Sequence, residues 1–443
     1  MRAGLGQHDF GRRGRPPCGL GARLMVPEID PVYERDRKKT ARCCLMVPSR
    51  TALLATIGTL PPGRALAFLS LFFVPAVSQT ILLTVVPLQA FSLLGSAQAV
   101  TLLYIGTGLV SVVGRFGIPY LASQFGRRFV FTLGAVLLAV SSIMLALDTL
   151  PALATGLVLS TFAFACTEIT SQLYLLDGVP RQALKNFEPI RIFASAGPWT
   201  LGPWLGVYLQ HKVAFEAPYG IAAGGAAVLL TLIWSLRLGE SEVSTKMQRP
   251  PPAPIRYLHR FFVQPRLRLA WALAAARSSW WNMFYVYAPI FAVSSGLGAE
   301  TGGVIVSVGT GWIWLAPFWG WIGRRVGLRR LLLAGYAVAG VLSICAAAAF
   351  GAPILGATLL MLAALGTETI DGAGNLLFLR AVHPYERSEM TTVFVSFRDV
   401  AQVGPPAACS VLLLLFSLPS VFVAAGLMML AASTFSRHIP RRL

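Results

Sequence analysis

Long apolar segments follow one another along most of the chain, separated by short polar segments. After the first sixty residues they recur about every 30 to 35 residues, and each has close to the roughly 20 residues that a helix needs to cross the hydrocarbon core of a bilayer. The pattern predicts an all-α polytopic membrane protein. We predict twelve transmembrane helices, over 65–89, 98–121, 129–147, 152–176, 190–210, 219–238, 269–293, 303–322, 331–350, 353–378, 391–416 and 419–435.

Two stretches interrupt this pattern. Residues 1–62 are basic and contain Pro and Gly without a helical period, which predicts a disordered cytoplasmic tail, and Met46 within it would begin a shorter product. Residues 239–268 hold a proline-rich run and several basic residues, which predicts a cytoplasmic linker. The expected organisation is therefore the tail, a six-helix bundle over 63–238, the linker, and a second six-helix bundle with a short basic tail over 269–443.

Charge composition and its distribution set the class and the orientation. Hydrophobic residues make up 55% of the chain and charged residues only 12%, well below the roughly 25% of soluble domains. The net charge of +19 would suggest nucleic acid in a soluble protein. Of the 37 Lys and Arg, however, all but Arg277, Arg398 and Lys212 are assigned to one side of the predicted spans. The positive-inside rule then places both termini in the cytoplasm, in a plasma or inner membrane, and no nucleic-acid partner is expected.

A polar pattern occurs twice along the chain. Glu168 and Glu368 are 200 residues apart, Glu188 and Glu389 are 201 apart, and the Gly-Pro pairs that begin at Gly202 and Gly404 are 202 apart. An offset that drifts so little over about forty positions indicates duplication of half of the protein. The chain is therefore expected to have two pseudo-symmetric halves.

Two predicted cytoplasmic turns carry related basic motifs. The turn after the second span reads Pro119-Tyr-Leu-Ala-Ser123-Gln124-Phe-Gly126-Arg127-Arg128, and the turn after the eighth reads Gly320-Trp-Ile-Gly-Arg324-Arg325-Val-Gly327-Leu-Arg329-Arg330. These turns resemble the signature loop of the major facilitator superfamily, Gly-x-x-x-Asp-Arg-x-Gly-Arg-Arg. Ser123 and Arg324 stand where the family has its Asp, so the charged latch which that Asp helps to form lacks its acid here. The candidate cytoplasmic gate residues are Gly126, Arg127, Arg128, Gly327, Arg329 and Arg330.

The resemblance implies a fold and a way of working. It implies a substrate site near the membrane midplane between two six-helix bundles, whose rocking alternates access to the two sides. It also implies a monomer in the lipid bilayer with a small-molecule substrate. In span five, Gly197-Pro198 and Gly202-Pro203 resemble the Gly-Pro motif of the family's antiporters, although the glycine spacing departs from it, and export and import both stay open. The rival interpretation is a kinked, closely packed helix with no bearing on direction.

Polar residues inside the apolar spans are the candidate functional residues, because such residues are costly in hydrocarbon. Arg277, Trp281 and Tyr285 share one helix face, which lines a cavity or, as a rival account, belongs to an interfacial aromatic belt. Spacings of three and four likewise place the polar residues of span ten on one face. The candidate substrate and proton-pathway residues are Glu168, Arg277, Trp281, Asn282, Tyr285, Glu368, Asp371, Asn375, Arg398 and Asp399.

Five of these residues are charged and lie in the second half. We expect Arg277 and Arg398 to pair there with Glu368, Asp371 and Asp399 around a shared cavity, which leaves one carboxylate over. Two adjacent carboxylates cannot both ionise cheaply in a low dielectric, so one of them can take up and release a proton. Three uses stay open: proton coupling, direct binding of a charged substrate by the two arginines, and a purely structural ion-pair network.

The chain lacks the residue patterns of an enzyme. Its five His lie in tails or loops, its six Cys show no metal spacing, and no phosphate-binding loop is present. We therefore expect no catalytic residues, no metal and no cofactor, with a proton gradient as energy source. The leading hypothesis is a proton-coupled secondary transporter of a small organic solute. The alternative is an ion-independent facilitator, and more remote ones are a receptor or a membrane enzyme.

Overall fold

The computed structural model describes residues 62–178, 181–235, 254–373, 376–382 and 387–439. The predictions for the tail before residue 62, for Asn375 and for linker residues 239–253 lie outside the described residues. Within the described ranges the chain forms helices joined by short turns, without a β-strand.

The first part of the chain forms six long helices. They are α1 Pro62–Leu94, α2 Ala97–Phe125, α3 Arg127–Ala146, α4 Leu150–Gly178, α5 Arg181–Lys212 and α6 Ala217–Ser235. α1 packs against α5 and α6, and α3 packs against α4 and α6. Each helix contains one of the first six predicted spans, apart from one to three residues at span ends.

The second part begins with a short helix that the sequence did not predict. α7 Pro254–Val263 lies within the predicted linker and packs against α14. The following helices are α8 Pro265–Ser294, α9 Ala299–Gly311, α10 Ala316–Val326, α11 Leu328–Ala348, α12 Pro353–Ala373, α13 Leu376–Ala381, α14 Arg387–Val395, α15 Phe397–Leu415 and α16 Pro419–Ser436. α11 packs against α12 and α16, and α8 packs against α15.

Two of the predicted spans are broken helices. Predicted span eight is divided by a 3₁₀ turn, Trp312–Leu315, just before Pro317 at the start of α10. Predicted span eleven is interrupted at Ser396, between α14 and α15. Proline cannot donate to the preceding turn, which explains the first break, and the tighter 3₁₀ turn accommodates it.

Nine helical stretches in the described part of the chain are long and apolar enough to cross a membrane. They are Leu66–Leu94, Ala97–Ala122, Arg127–Ala146, Leu150–Leu175, Ala217–Ser235, Ala299–Val326, Leu328–Gly351, Pro353–Ala381 and Pro419–Ser436. The other three predicted spans lie in α5, α8 and α14–α15, which are helical but carry more charged, amide and aromatic side chains. Twelve spans therefore stay a prediction.

The most extensive contacts between the two parts of the described chain are those of α5 with α9, α2 with α15, and α1 with α8. Hydrogen bonds cross these contacts. The Trp204 backbone N–H donates to Ser307 Oγ at 2.8 Å, and the Tyr287 and Thr101 hydroxyls are 2.7 Å apart. The candidate site lies among these helices.

Helix α5 packs closely on α1 at Gly206. A Cβ at Gly206 would collide with the carbonyl oxygen of Ile81, whereas a Cβ at Gly197 on the same helix would meet no atom within 4 Å. We expect Gly206→Ala to lower the free energy of unfolding by about 1–3 kcal/mol, because backbone atoms would have to shift. Gly197→Ala should change it by less than about 0.5 kcal/mol. Thermal unfolding of the detergent-solubilised variants measures both, and equal losses would contradict the close packing.

Candidate functional site

A cavity of about 600 Å³ lies between the two parts of the chain. Its walls come from α1 to α5 on one side and from α8, α9, the turn Trp312–Leu315, α12 and α15 on the other. Eight candidate residues line it: Glu168, Arg277, Trp281, Asn282, Tyr285, Glu368, Asp371 and Arg398. Residues far apart in the sequence therefore surround one space large enough for a small organic molecule.

Arg277 and Asp371 form an ion pair in the cavity wall. Arg277 Nη1 is 3.1 Å from Asp371 Oδ1, and only 12% of the arginine side chain is exposed. Trp281, one turn further along α8, donates from Nε1 to Asp371 Oδ2 at 2.7 Å. Both carboxylate oxygens of Asp371 thus have a donor, and the charge-assisted contacts fix Trp281 and Arg277 on the same side of the cavity.

Glu368 lies one turn before Asp371 on α12. It is 7% exposed and lines the cavity, yet its carboxylate has no ion pair or hydrogen bond with another described residue. Asp371 has both a cation and an indole donor, whereas Glu368 has neither. Glu368 is therefore the uncompensated carboxyl group of the site.

Aromatic rings cover the wall beside these charges. Trp281 stacks on Tyr285 with ring centroids 5.3 Å apart. The ring centroid of Trp199, on α5 in the first part of the chain, is 6.1 Å from that of Tyr285. The i, i+4 spacing on α8 brings the first two rings together. The arrangement gives the cavity an apolar face next to a charged one, which suits a ligand with both characters.

The Asn282 side chain forms a hydrogen bond with the backbone of the neighbouring helix, α15. Its Nδ2 donates to the Ala401 carbonyl oxygen of α15 at 2.9 Å. Pro405, four residues later, has no N–H to donate to that carbonyl, so the asparagine supplies the missing donor. The contact therefore satisfies the backbone carbonyl that Pro405 leaves free within α15.

The expected pairing of all five charges within the second half is wrong for two of them. Arg398 Nη1 contacts Glu168 Oε1 of the first half at 3.0 Å, and about half of each side chain is exposed. Asp399 Oδ1 lies 3.6 Å from Arg115 Nη1 of α2. Only Arg277 and Asp371 pair within the second half, because α2 and α4 bring opposite charges to α15.

Arg115 is the charged cavity residue that the sequence analysis missed. It was counted among the basic residues beside a cytoplasmic turn, but it lies within α2 and lines the cavity. Its position inside the predicted span 98–121 was the signal that could have identified it. Uncharged residues, including Gln79, Tyr104, Ser160, Thr161 and Gln402, also line the cavity. Their types are too common in such helices for the sequence to select them.

The candidate gate residues lie in two interhelical turns. Neither turn lines the central cavity. Gly126 joins α2 to α3 with φ +81°, and Gly327 joins α10 to α11 with φ +94°. These left-handed conformations favour glycine, which has no Cβ. The Arg128 guanidinium lies 4.2 Å above the Trp234 ring centroid, and Arg127 also has a partner. Arg329 and Arg330 line a second cavity.

No group of three or more His, Cys, Asp or Glu suitable for a metal ion occurs among the residues that the structure describes. The donors of the central cavity are instead arginine, indole, hydroxyl and amide groups facing carboxylates. Such a set binds polar or charged organic groups through hydrogen bonds and ion pairs.

Comparison with protein families decides the class of protein. The family model described as "Major Facilitator Superfamily" matches residues 67–405. The chain belongs to the Major Facilitator Superfamily. It is therefore a multi-pass membrane transporter, not an enzyme, and its partners are a small-molecule substrate and the lipid bilayer. A search of curated protein sequences gives no match.

Solved structures of other transporters share the fold. A peptide transporter POT in complex with sulfate is 16% identical with a TM-score of 0.67, covering 85% of this chain and 94% of that chain. The nucleoside transporter NupG is 14% identical with a TM-score of 0.66, covering 84% and 98%. A POT family transporter in complex with 5-aminolevulinic acid is 12% identical with a TM-score of 0.67, covering 84% and 94%. At these identities the likeness concerns the fold alone.

Proposed function

We propose that this superfamily member is a proton-coupled secondary transporter of a small organic solute. It would have twelve membrane-spanning helices in two six-helix halves, 63–238 and 269–443, and both termini in the cytoplasm. The central cavity would bind the solute, and rocking of the halves would expose it to each side in turn. The proton gradient would supply the energy, without a bound cofactor, and the transporter would act as a monomer.

One observation carries the proton coupling. Glu368 is a nearly buried carboxyl group that lines the cavity beside the Arg277–Asp371 pair and has no partner of its own among the described residues. An uncompensated carboxylate in a low dielectric is costly, and taking up a proton removes that cost. When ionised, Glu368 would compete with Asp371 for Arg277, and when protonated it would leave their ion pair intact.

This competition gives a route from protonation to movement. Arg277 and Trp281 belong to α8, and α8 contacts α1 of the other half. A shift of Arg277 between the two carboxylates would therefore move the α8 wall relative to the first half. A proton shifts a conformational equilibrium only if the two states bind it with different affinity, and a changed carboxylate environment provides that difference.

An ion-independent facilitator is the second candidate, and a specific observation favours it. Each arginine of the central cavity already contacts a carboxylate: Arg277 with Asp371, Arg398 with Glu168, and Arg115 with Asp399. Because these charges compensate one another, the halves could rock around a neutral solute without a proton. This mechanism predicts solute exchange that does not depend on pH.

Proton movement in liposomes tests the proposal. We expect a solute from a panel of small organic compounds to move protons with the wild type, measured with an internal pH-sensitive dye. Glu368→Gln should lower the protons moved per solute at least about tenfold while solute exchange continues, because glutamine cannot carry the proton. Solute exchange without proton movement in the wild type would contradict the coupling and establish the facilitator.

Glu216→Gln is the matched control. Glu216 is an exposed residue in the turn before α6, so the same loss of one carboxylate occurs outside the cavity. Proton movement in this variant should equal that of the wild type. An equal loss in both variants would mean that overall charge, and not the site at Glu368, controls proton movement.

A further inference from the structure

A second cavity, of about 1130 Å³, lies at one end of the second half, away from the central cavity. We call it the arginine cavity, because Arg324, Arg329, Arg330 and Arg380 line it. It lies where α10 turns into α11, with α12, α13 and Ile439 near the end of the chain completing its walls. The proposed transport mechanism does not use it.

Its charge is unbalanced. None of the described residues that line the arginine cavity is an Asp or Glu, whereas every arginine of the central cavity has a carboxylate within 3.6 Å. Arg329, Arg330 and Arg380 form no ion pair within the described part of the chain. Like charges gathered next to a low-dielectric region repel one another, so an external anion would be held there.

The backbone adds donors at the same place. α11 begins at Leu328 after Gly327, and Gly327 has no side chain to cap the helix. The first amides of α11 therefore lack an internal acceptor, and the positive end of the helix dipole lies among the arginines. Helix starts of this kind bind phosphate groups.

The remaining walls are apolar. Val326, Leu328, Leu331, Leu333 and Leu376 line the cavity beside the arginines. The indole nitrogen of Trp319, another lining residue, is buried without a hydrogen-bond partner among the described residues. A ligand that combines an anionic head, an acceptor oxygen and an apolar chain would satisfy all three features.

We propose that the arginine cavity binds the phosphate of an anionic phospholipid, with the headgroup on Arg329, Arg330 and Arg380 and an acyl chain along the leucine wall. In the orientation of the proposed function the cavity opens at the cytoplasmic leaflet, where anionic lipids attract basic pockets between helices. Arg324 stands where the related loop motif has Asp, so the lipid phosphate would bring a negative charge close to this turn.

The test uses the full-length protein in detergent, titrated with mixed micelles that contain phosphatidylglycerol. Binding should raise the apparent Tm of the wild type. The triple variant Arg329→Gln, Arg330→Gln, Arg380→Gln should need about 100-fold more phosphatidylglycerol for the same shift, because each basic residue near a lipid surface contributes about a factor of five. Trp319→Phe, which removes only the indole donor, should also weaken the response and serves if the triple variant does not fold.

The controls separate the site from general charge and the lipid from free phosphate. The control is a second triple variant, in which three exposed arginines outside the arginine cavity, Arg266, Arg268 and Arg437, are replaced by Gln. Its apparent Tm should respond to phosphatidylglycerol as that of the wild type does. Phosphatidylcholine micelles should not change the apparent Tm. Inorganic phosphate without lipid should not change it either. Equal responses of the two triple variants would overturn the site. If inorganic phosphate raised the apparent Tm as much as phosphatidylglycerol does, the ligand would not be a lipid, and the cavity would be a site for soluble phosphates.

Discussion

Arg277→Gln is expected to lower solute transport about 30-fold, which corresponds to about 2 kcal/mol for a charge-assisted contact. Arg277 Nη1 is 3.1 Å from Asp371 Oδ1, and Glu368 lies one helical turn before Asp371 on α12. The substitution would leave two neighbouring carboxylates in the cavity with Trp281 as their only described donor. Initial rates of solute uptake into liposomes, at equal protein content, measure the loss.

A double variant separates a transport role from a structural one. Arg277→Gln, Asp371→Asn removes both charges of the pair, so no unpaired charge remains and the apparent Tm should return towards that of the wild type. Transport should stay low, because Glu368 no longer has a cation for which to compete. If the double variant recovers both stability and transport, the ion pair is structural and the proposed competition is wrong.

Glu168→Arg is expected to lower transport about 100-fold. It would place a second arginine against Arg398, where the wild type has an ion pair of 3.0 Å between the two halves. Neutralising a pair that is half exposed costs little, about 1 kcal/mol or less, but two like charges at that distance repel and hold the halves apart. The exchanged variant Glu168→Arg, Arg398→Glu should recover transport to within about tenfold of the wild type.

The chain contains a matched control for this exchange. Lys212 and Glu300 form another ion pair between the halves, 3.4 Å apart, but both side chains are exposed and neither lines the central cavity. Lys212→Glu should leave transport within about twofold, because exposed pairs contribute little. A failure of the exchanged variant to recover, with this control intact, would indicate that Arg398 binds substrate directly.

The positions of the helices could be predicted from the sequence with good accuracy. Apolar length alone indicates where α1, α3 and α11 lie, because a helix in lipid must satisfy its backbone internally and must be long enough to span the core. The interruptions could not be predicted in the same way. The 3₁₀ turn Trp312–Leu315 and the break at Ser396 lie inside apolar runs, and hydropathy does not distinguish a broken helix from a continuous one.

The candidate site could be predicted residue by residue but not pair by pair. Periodicity placed Arg277, Trp281 and Tyr285 on one face of α8, and the structure places all three in the cavity wall. Their roles in transport stay predictions. Arg115 escaped notice because a single arginine near the end of a predicted span looks like an interfacial residue.

The sequence by itself determined the features that depend on near neighbours: which apolar runs are helical, the glycine turns at Gly126 and Gly327, and the shared face on α8. Only the tertiary structure decided which charges meet. Glu168 and Arg398 are 230 residues apart in the chain and 3.0 Å apart in space. The strength of an ion pair depends on distance and on the surrounding dielectric, and both are set by how distant helices pack against each other.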